Sequence, residues 1–215
     1  VLVDEGRVSL DDPVEKYLPE FRGQMVAAFR SDDTVLLRKP KHPITVRNVL
    51  AHTSGLPFQS AIESPTLDMY PLHIRVRSYA MTPLDFEPDS NYQYSNAGIN
   101  VAARIIEVVA KTSFEKFLDE RFFQPLGMKD TTFVVPAAKA HRIAEPLAID
   151  PLTQKPYPPM LDMTKTQGND SGGAGLATTA DDYLRFCQML LNGGTLDGKR
   201  YLSRTTVALM TSDHL

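Results

Sequence analysis

The sequence contains one cysteine, Cys187, and no tryptophan in 215 residues. A single cysteine excludes an internal disulfide and any cysteine-rich metal site. Cys187 falls on the apolar face of a predicted helix and is expected to be a buried thiol, not a nucleophile. No apolar run approaches the roughly 20 residues of a membrane-spanning helix, and no charged start leads into a hydrophobic stretch, the pattern of a secretory leader. Charge of the two signs is nearly balanced: 23 Lys and Arg stand against 26 Asp and Glu, a formal net charge of −3. That balance gives no electrostatic case for nucleic acid or an anionic membrane as partner. The histidines at 42, 52, 73, 141 and 214 are scattered without metal-ligand spacing, so no metal is expected. The Gly172–Gly175 run lacks the Lys-Ser/Thr ending of a phosphate loop, so no nucleotide cofactor is expected either; a tight turn beside a ligand or close backbone packing explains it.

What is present is ordinary globular material, 42% hydrophobic and 23% charged, enough to bury a core. Sixteen prolines imply many loops, with a long surface connection over 146–159. Val1–Gly6 reads as the tail of a helix closed by glycine. Such a helix has no room to begin, so the sequence is expected to be a piece of a longer protein. Asp12 is a candidate cap with Pro13 at the first helical position. A short strand is expected over Thr34–Leu37, a helix capped by Thr45 after it, and another helix around 72–81 between Pro71 and Pro83. The strongest periodicity lies in Ala97–Val109, where Ala102, Ile105, Ile106 and Val109 form one stripe. Thr112 and Glu115 have capping-box spacing for a helix that points Phe114, Phe117, Leu118 and Phe122 at a core; it ends at Pro125–Met128. Thr131–Val135 reads as a strand. Thr179 caps a helix with Tyr183, Phe186, Cys187 and Leu190 on its apolar face, and Ser203–Met210 is a last short helix.

Three constellations could carry chemistry. Tyr94 and Asn96 sit two residues apart where the clearest helix begins. A phenol beside an amide suits a proton relay, provided that cations stabilise the phenolate, with the amide orienting an ammonium or a carbonyl. A buried aromatic next to an asparagine that caps the helix accounts for the same spacing. His52-Thr53-Ser54-Gly55 looks like a serine–histidine pair, but such partners come from distant segments; a helix end closed by glycine is the better account. Ser113-Phe114-Glu115-Lys116 matches S-x-x-K literally, yet its place at the start of a core-facing helix is explained by capping.

Taken together, several blocks resemble the serine β-lactamase-related hydrolases, the group of class C β-lactamases, D-amino-acid peptidases and β-lactamase-like esterases. Ile44–Leu56 is similar to its T-I-R-x-L-L-x-H-T-S-G-L block, and Tyr94-Ser95-Asn96 to its Tyr-x-Asn element. Phe123–Met128 resembles F-x-P-L-G-M. Gly172–Phe186 and Leu190–Gly198 resemble two further glycine-bearing blocks. The resemblance is collinear over residues 1–215. It implies an α+β, mostly helical chain: the helical domain of the β-lactamase/penicillin-binding fold with part of its α/β domain, its central sheet largely missing. It implies acyl transfer through a serine acyl-enzyme on small ester, β-lactam or D-amino-acid peptide substrates, with no cofactor. Tyr94 maps onto the proton-relay tyrosine, Asn96 onto the lysine and substrate contact, and Gln59 onto a substrate-contacting glutamine. The family's Ser-x-x-Lys is expected upstream of residue 1 and its Lys-Thr-Gly or His-x-Gly strand beyond Leu215, leaving this chain inactive alone. Esterase-like chemistry is slightly favoured. The competing expectations are a non-catalytic penicillin-recognising scaffold, and a truncated module that self-associates through exposed apolar surface.

Overall fold

Val1–Gly6 form a single helical turn in the computed structural model, which describes residues 1–63, 70–145, 147–156, 162–165 and 172–214. The Glu5 amide donates to the Val1 carbonyl at 2.9 Å and Gly6 closes the turn at φ +67°, as the sequence predicts. Asp12 does not cap the next turn. The 3₁₀ turn Val14–Lys16 has Pro13 as its N-cap, because the Asp12 carboxylate is taken by the Lys16 ammonium at 2.8 Å and the Tyr17 hydroxyl at 2.5 Å.

Strand β1 (Val26–Arg30) pairs antiparallel with β2 (Val35–Arg38), from Val26 opposite Arg38 to Arg30 opposite Val35, with an irregularity between Ala27 and Phe29. β2 is shifted by one residue toward the C-terminus from the expected Thr34–Leu37. β1 carries no alternation that sequence reasoning could detect, since it is Val-Ala-Ala-Phe-Arg.

Helix α1 (Val46–Leu50) begins with a reciprocal box: Thr45 Oγ1 accepts the Asn48 amide at 3.2 Å and Asn48 Oδ1 accepts the Thr45 amide at 2.9 Å. It stops where His52 enters the left-handed region at φ +60°, not at Gly55. Helix α2 (Leu72–Met81) runs between Pro71 and Pro83 as expected, and α3 spans Asn96–Ala110. α4 (Phe114–Leu118) is capped by Ser113, whose Oγ accepts the Lys116 amide at 3.2 Å, and not by Thr112. One π turn (Asp119–Phe123) then leads into α5 (Gln124–Leu126).

The strand expected at 131–135 reduces to an isolated bridge between Thr132 and Ala177. Thr132 Oγ1 instead bonds the amide and carbonyl of Val134 at 3.2 and 3.0 Å, curling the segment locally. In α6 (Ala180–Leu191) Thr179 is the cap, as predicted, but the helix is rotated from its apparent apolar face. Asp182 and Met189 are buried, whereas Tyr183 and Cys187 are exposed, which corrects the reading of a buried thiol. The rotation follows from Asp182, whose Oδ2 accepts the Asp130 amide at 2.6 Å and the Thr131 hydroxyl at 2.9 Å. A hairpin of β3 (Thr195–Leu196) and β4 (Lys199–Arg200) turns through Asp197 and Gly198, both at positive φ, and α7 (Arg204–Met210) starts at the Ser203 cap.

Among the described residues the strands make two two-stranded antiparallel sheets and the remaining regular structure is helical, so the chain is α+β and mostly helical. The main core joins the N-terminal 26 residues to α1, α2 and α3; a smaller one joins Phe123, Leu126 and Met128 to Met189, Leu196 and Leu202. α3 lies so close on α1 that a Cβ at Gly98 would come within 2.8 Å of the Val49 carbonyl oxygen. The predicted α3 stripe is only partly buried, because Ala102 and Ile106 line an open apolar cavity of about 530 Å³ together with Leu50, Phe122, Phe186 and Met210. Among the described residues no helix is long and apolar enough to cross a membrane.

Candidate active site

The corner that carries Tyr94 is built on α1. Buried Asn48, whose Oδ1 is spent on the α1 cap, turns its Nδ2 to the Thr53 hydroxyl at 3.1 Å and to the Asp89 carboxylate. The Asp89 amide donates to the Thr53 carbonyl at 3.0 Å. These bonds hold Asp89 at φ +63°, a left-handed conformation that short polar side chains tolerate. One side chain thus fixes both the start of α1 and the turn that enters the site.

His52 then fixes the backbone on both sides of Tyr94. Its carbonyl accepts the Gln93 amide at 3.0 Å and its Nδ1 accepts the Ser95 amide at 3.2 Å. Its ring lies 4.7 Å from the Tyr94 ring, tilted by 38°. Ser95, 1% exposed, accepts the Gly98 amide at 3.1 Å and donates to the Pro57 carbonyl at 2.8 Å. Ser95 is therefore the N-cap of α3. Asn96 is its first helical residue, and Tyr94 is 52% exposed. A buried aromatic beside a capping asparagine does not describe this corner. The Tyr94 hydroxyl donates to Asn96 Oδ1 at 3.1 Å.

Gln59 is exposed on the loop that Ser95 ties down through Pro57, and its neighbour Phe58 places its ring 6.1 Å from that of Tyr94. On the other flank lies Gly173, where a Cβ would stand 3.2 Å from Asn96 Oδ1. The glycine run is thus close packing beside the candidate site; Ser171 lies outside the described residues, as do 146 and 157–161 of and around the Pro-rich connection. The literal Ser113–Lys116 match is not at this corner. It follows the C-terminal end of the 15-residue α3, about 22 Å of helix from Asn96, and Ser113 serves as a cap. His52 and Ser54 form no catalytic pair: Ser54 Oγ accepts the Leu56 amide at 3.2 Å while His52 faces Ser95. Among the described residues no group of three or more His, Cys, Asp or Glu could hold a metal.

Sequence reasoning passed over His52 and Ser95. Their signal was the co-occurrence of the His-Thr-Ser-Gly block with Tyr-x-Asn, since a histidine can accept from a backbone amide brought to it by the fold. Burial holds the His52 imidazole below its ordinary pKa, which suits an Nδ1 that must stay an acceptor. The unfolded chain takes up the proton first as pH falls through about 6.5, so this residue lowers stability progressively there, and the loss levels off below the folded-state pKa. Replacing His52 with glutamine, which keeps an acceptor but does not titrate, is expected to flatten the decline in melting temperature between about pH 7.5 and 5. A wild-type and variant pH profile of equal slope contradicts this assignment.

The chain is similar to several known proteins. The chain is 32% identical over 222 residues to Protein Rv1367c of Mycobacterium tuberculosis H37Rv, covering all of this chain and 55% of that protein. It is 30% identical to Penicillin-binding protein 4 of Amycolatopsis lactamdurans, covering 97% of this chain and 51% of that one. It is also 30% identical to Esterase EstB of Burkholderia gladioli, covering 86% and 51%. The chain therefore spans about half the length of these relatives. Among solved structures it resembles a putative β-lactamase from Bacteroides dorei (28% identity, TM-score 0.69, 99% of this chain and 51% of that one). It also resembles EstCE1, a hydrolase with promiscuous acyltransferase activity (26%, TM-score 0.71, 97% and 58%). The beta-lactamase family model matches residues 1–214, running through the Tyr94–Asn96 corner from one end of the chain to the other, and the chain belongs to the β-lactamase family.

Proposed function

We propose that this chain supplies the proton-relay and carbonyl-contact half of the acyl-transfer centre of a serine hydrolase. The reading is carried by the hydrogen bond from the Tyr94 hydroxyl to Asn96 Oδ1 at the start of α3. The phenolic oxygen keeps lone pairs, so in this reading it receives the proton of an attacking hydroxyl as its own hydrogen passes to the amine of a Ser-x-x-Lys segment, and Tyr94 ends the step as neutral as it began. The Asn96 amide, using its oxygen toward Tyr94, has Nδ2 hydrogens to offer a substrate carbonyl. Gln59 is a second substrate contact, on the loop that Ser95 anchors.

The nucleophile in this reading is a serine in a Ser-x-x-Lys segment outside residues 1–215, and the strand that closes the site also lies outside. The relatives' roughly twofold greater length supports this, as does the distance of Ser113 from the corner. The substrates are small esters, β-lactams or D-amino-acid peptides. Esters are favoured, because the named relatives include an esterase and a hydrolase with acyltransferase activity and because half-exposed Phe58 beside Tyr94 offers an apolar rest for an acyl chain. The test is covalent labelling of the full-length parent by a fluorescent fluorophosphonate. A serine hydrolase is labelled; a folded protein that is labelled by neither this reagent nor a fluorescent penicillin is a binding scaffold, and the proposal fails.

A further inference from the structure

Four polar side chains in the core are joined to one another and have no part in the chemistry proposed above. Glu63, Arg75, Tyr79 and Asn100 are 2%, 1%, 0% and 0% exposed. Arg75 Nε donates to Glu63 Oε1 at 2.6 Å, and the Tyr79 hydroxyl donates to the same oxygen at 2.5 Å. Asn100 Nδ2 donates in turn to the Tyr79 oxygen at 3.1 Å. Burial, then the bond to Glu63, push the Tyr79 phenol far above its ordinary pKa, so it stays protonated as the donor in this chain.

Each end of the chain reaches a loop that flanks the Tyr94–Asn96 corner. Glu63 Oε2 accepts the amide of Ser60 at 2.8 Å, the residue directly after Gln59. Asn100, one helical turn beyond Asn96, accepts the amides of Gly172 and Gly173 on its Oδ1 at 3.0 and 3.3 Å. These amides can come so near because both residues lack a side chain: a Cβ at Gly172 would lie 2.7 Å from the Ile99 carbonyl oxygen and from the Ala103 Cβ. Stability alone gives little reason for such a chain, since a buried ion pair is often no better than well-packed hydrocarbon.

We infer that Tyr79 and Asn100 are positioning residues that set the spacing of the Gln59 loop and the Gly172–Gly173 segment across the site, and so select the size of acyl group admitted. The inference rests on the reading of Tyr94 and Asn96 as the site. A small acyl group needs neither flank. A long one lies against both, so displacement of one flank weakens its binding without changing the proton relay.

Tyr79→Phe removes only the bridging hydroxyl and keeps the ring that fills the core. In the full-length parent it is expected to raise KM for p-nitrophenyl octanoate about threefold to tenfold, the worth of one ordinary hydrogen bond. The kcat for that ester and both constants for p-nitrophenyl acetate are expected to stay unchanged. Asn100→Ala, which also releases the Gly172 and Gly173 amides, shifts KM in the same direction and further. In the same full-length parent, hydrogen exchange at the Gly172 and Gly173 amides speeds up in both variants, while the α3 amides from Val101 to Ile105 keep their protection. Unchanged glycine exchange in a folded Tyr79→Phe protein overturns the inference, as does an equal loss of activity on both esters. Failure of the underlying site reading looks different: the wild-type parent then takes no fluorophosphonate label, whatever the glycine amides do.

Discussion

Replacing Tyr94 with phenylalanine in the full-length parent lowers the acylation rate with a chromogenic ester by about 10²–10⁴-fold, the usual worth of a positioned general acid–base group. The substitution deletes one oxygen from a half-exposed side chain. It leaves the ring against His52 and Phe58, and the backbone clamp from His52 to Gln93 and Ser95 does not involve the phenol. The melting temperature therefore stays nearly that of wild type, a surface substitution of this kind being worth within about 0.5 kcal/mol. A large loss of rate with no loss of fold isolates the proton relay. KM changes little, because the hydroxyl's task arises as the nucleophile loses its proton, not when substrate docks. A variant within about threefold of wild type removes Tyr94 from the mechanism.

The second large effect is on stability. Removing one member of the Glu63–Arg75 pair, as in Arg75→Met, is expected to cost about 3–5 kcal/mol, because it strands a carboxylate that is 1% exposed in the core. Methionine fills much of the arginine stem's volume, so the cost is electrostatic more than steric. The double substitution Glu63→Leu with Arg75→Met removes both charges and recovers part of the loss. Recovery is incomplete because the Ser60 amide and the Tyr79 hydroxyl lose their acceptor, at about 1–3 kcal/mol for each group left unsatisfied. Urea unfolding of the four proteins in the cycle measures the coupling. A sum of the two single effects equal to the double effect, within about 0.5 kcal/mol, contradicts a mutually dependent pair.

The sequence was most legible where local chemistry alone decides structure. Thr45 and Thr179 cap the helices expected of them, because an N-cap bond is made within three residues. α2 ends at its prolines, and α3 follows its apolar period. Legibility failed where a distant partner decides. α6 turns Cys187 outward because Asp182 must reach Asp130 and Thr131 across the chain; Asp12 is the local exception, drawn from its cap by Lys16 and Tyr17 four and five residues away. Thr131–Val135 has strand residues, but among the described residues its backbone bonds other segments only through the bridge of Thr132 to Ala177 and a bond from the Val135 amide to the Met163 carbonyl. At the site, spacing alone left Tyr94 and Asn96 open between a relay and a capped helix. The fold removes the capping reading by giving the cap to Ser95, and the bond from the phenol to Asn96 is the observation on which the relay proposal rests. The Glu63–Arg75–Tyr79–Asn100 chain was invisible in sequence, since its members are 12 to 37 residues apart from Glu63 and carry no motif.

The central claim is that this chain holds the relay of an acyl-transfer centre whose nucleophile lies elsewhere in the parent protein. Peptide mapping by mass spectrometry of the fluorophosphonate-labelled parent tests it most directly. The account predicts a single adduct, on the serine of a Ser-x-x-Lys segment outside residues 1–215. An adduct on a serine within residues 1–215, Ser54 and Ser113 included, contradicts it, and so does an active, folded parent that carries no adduct.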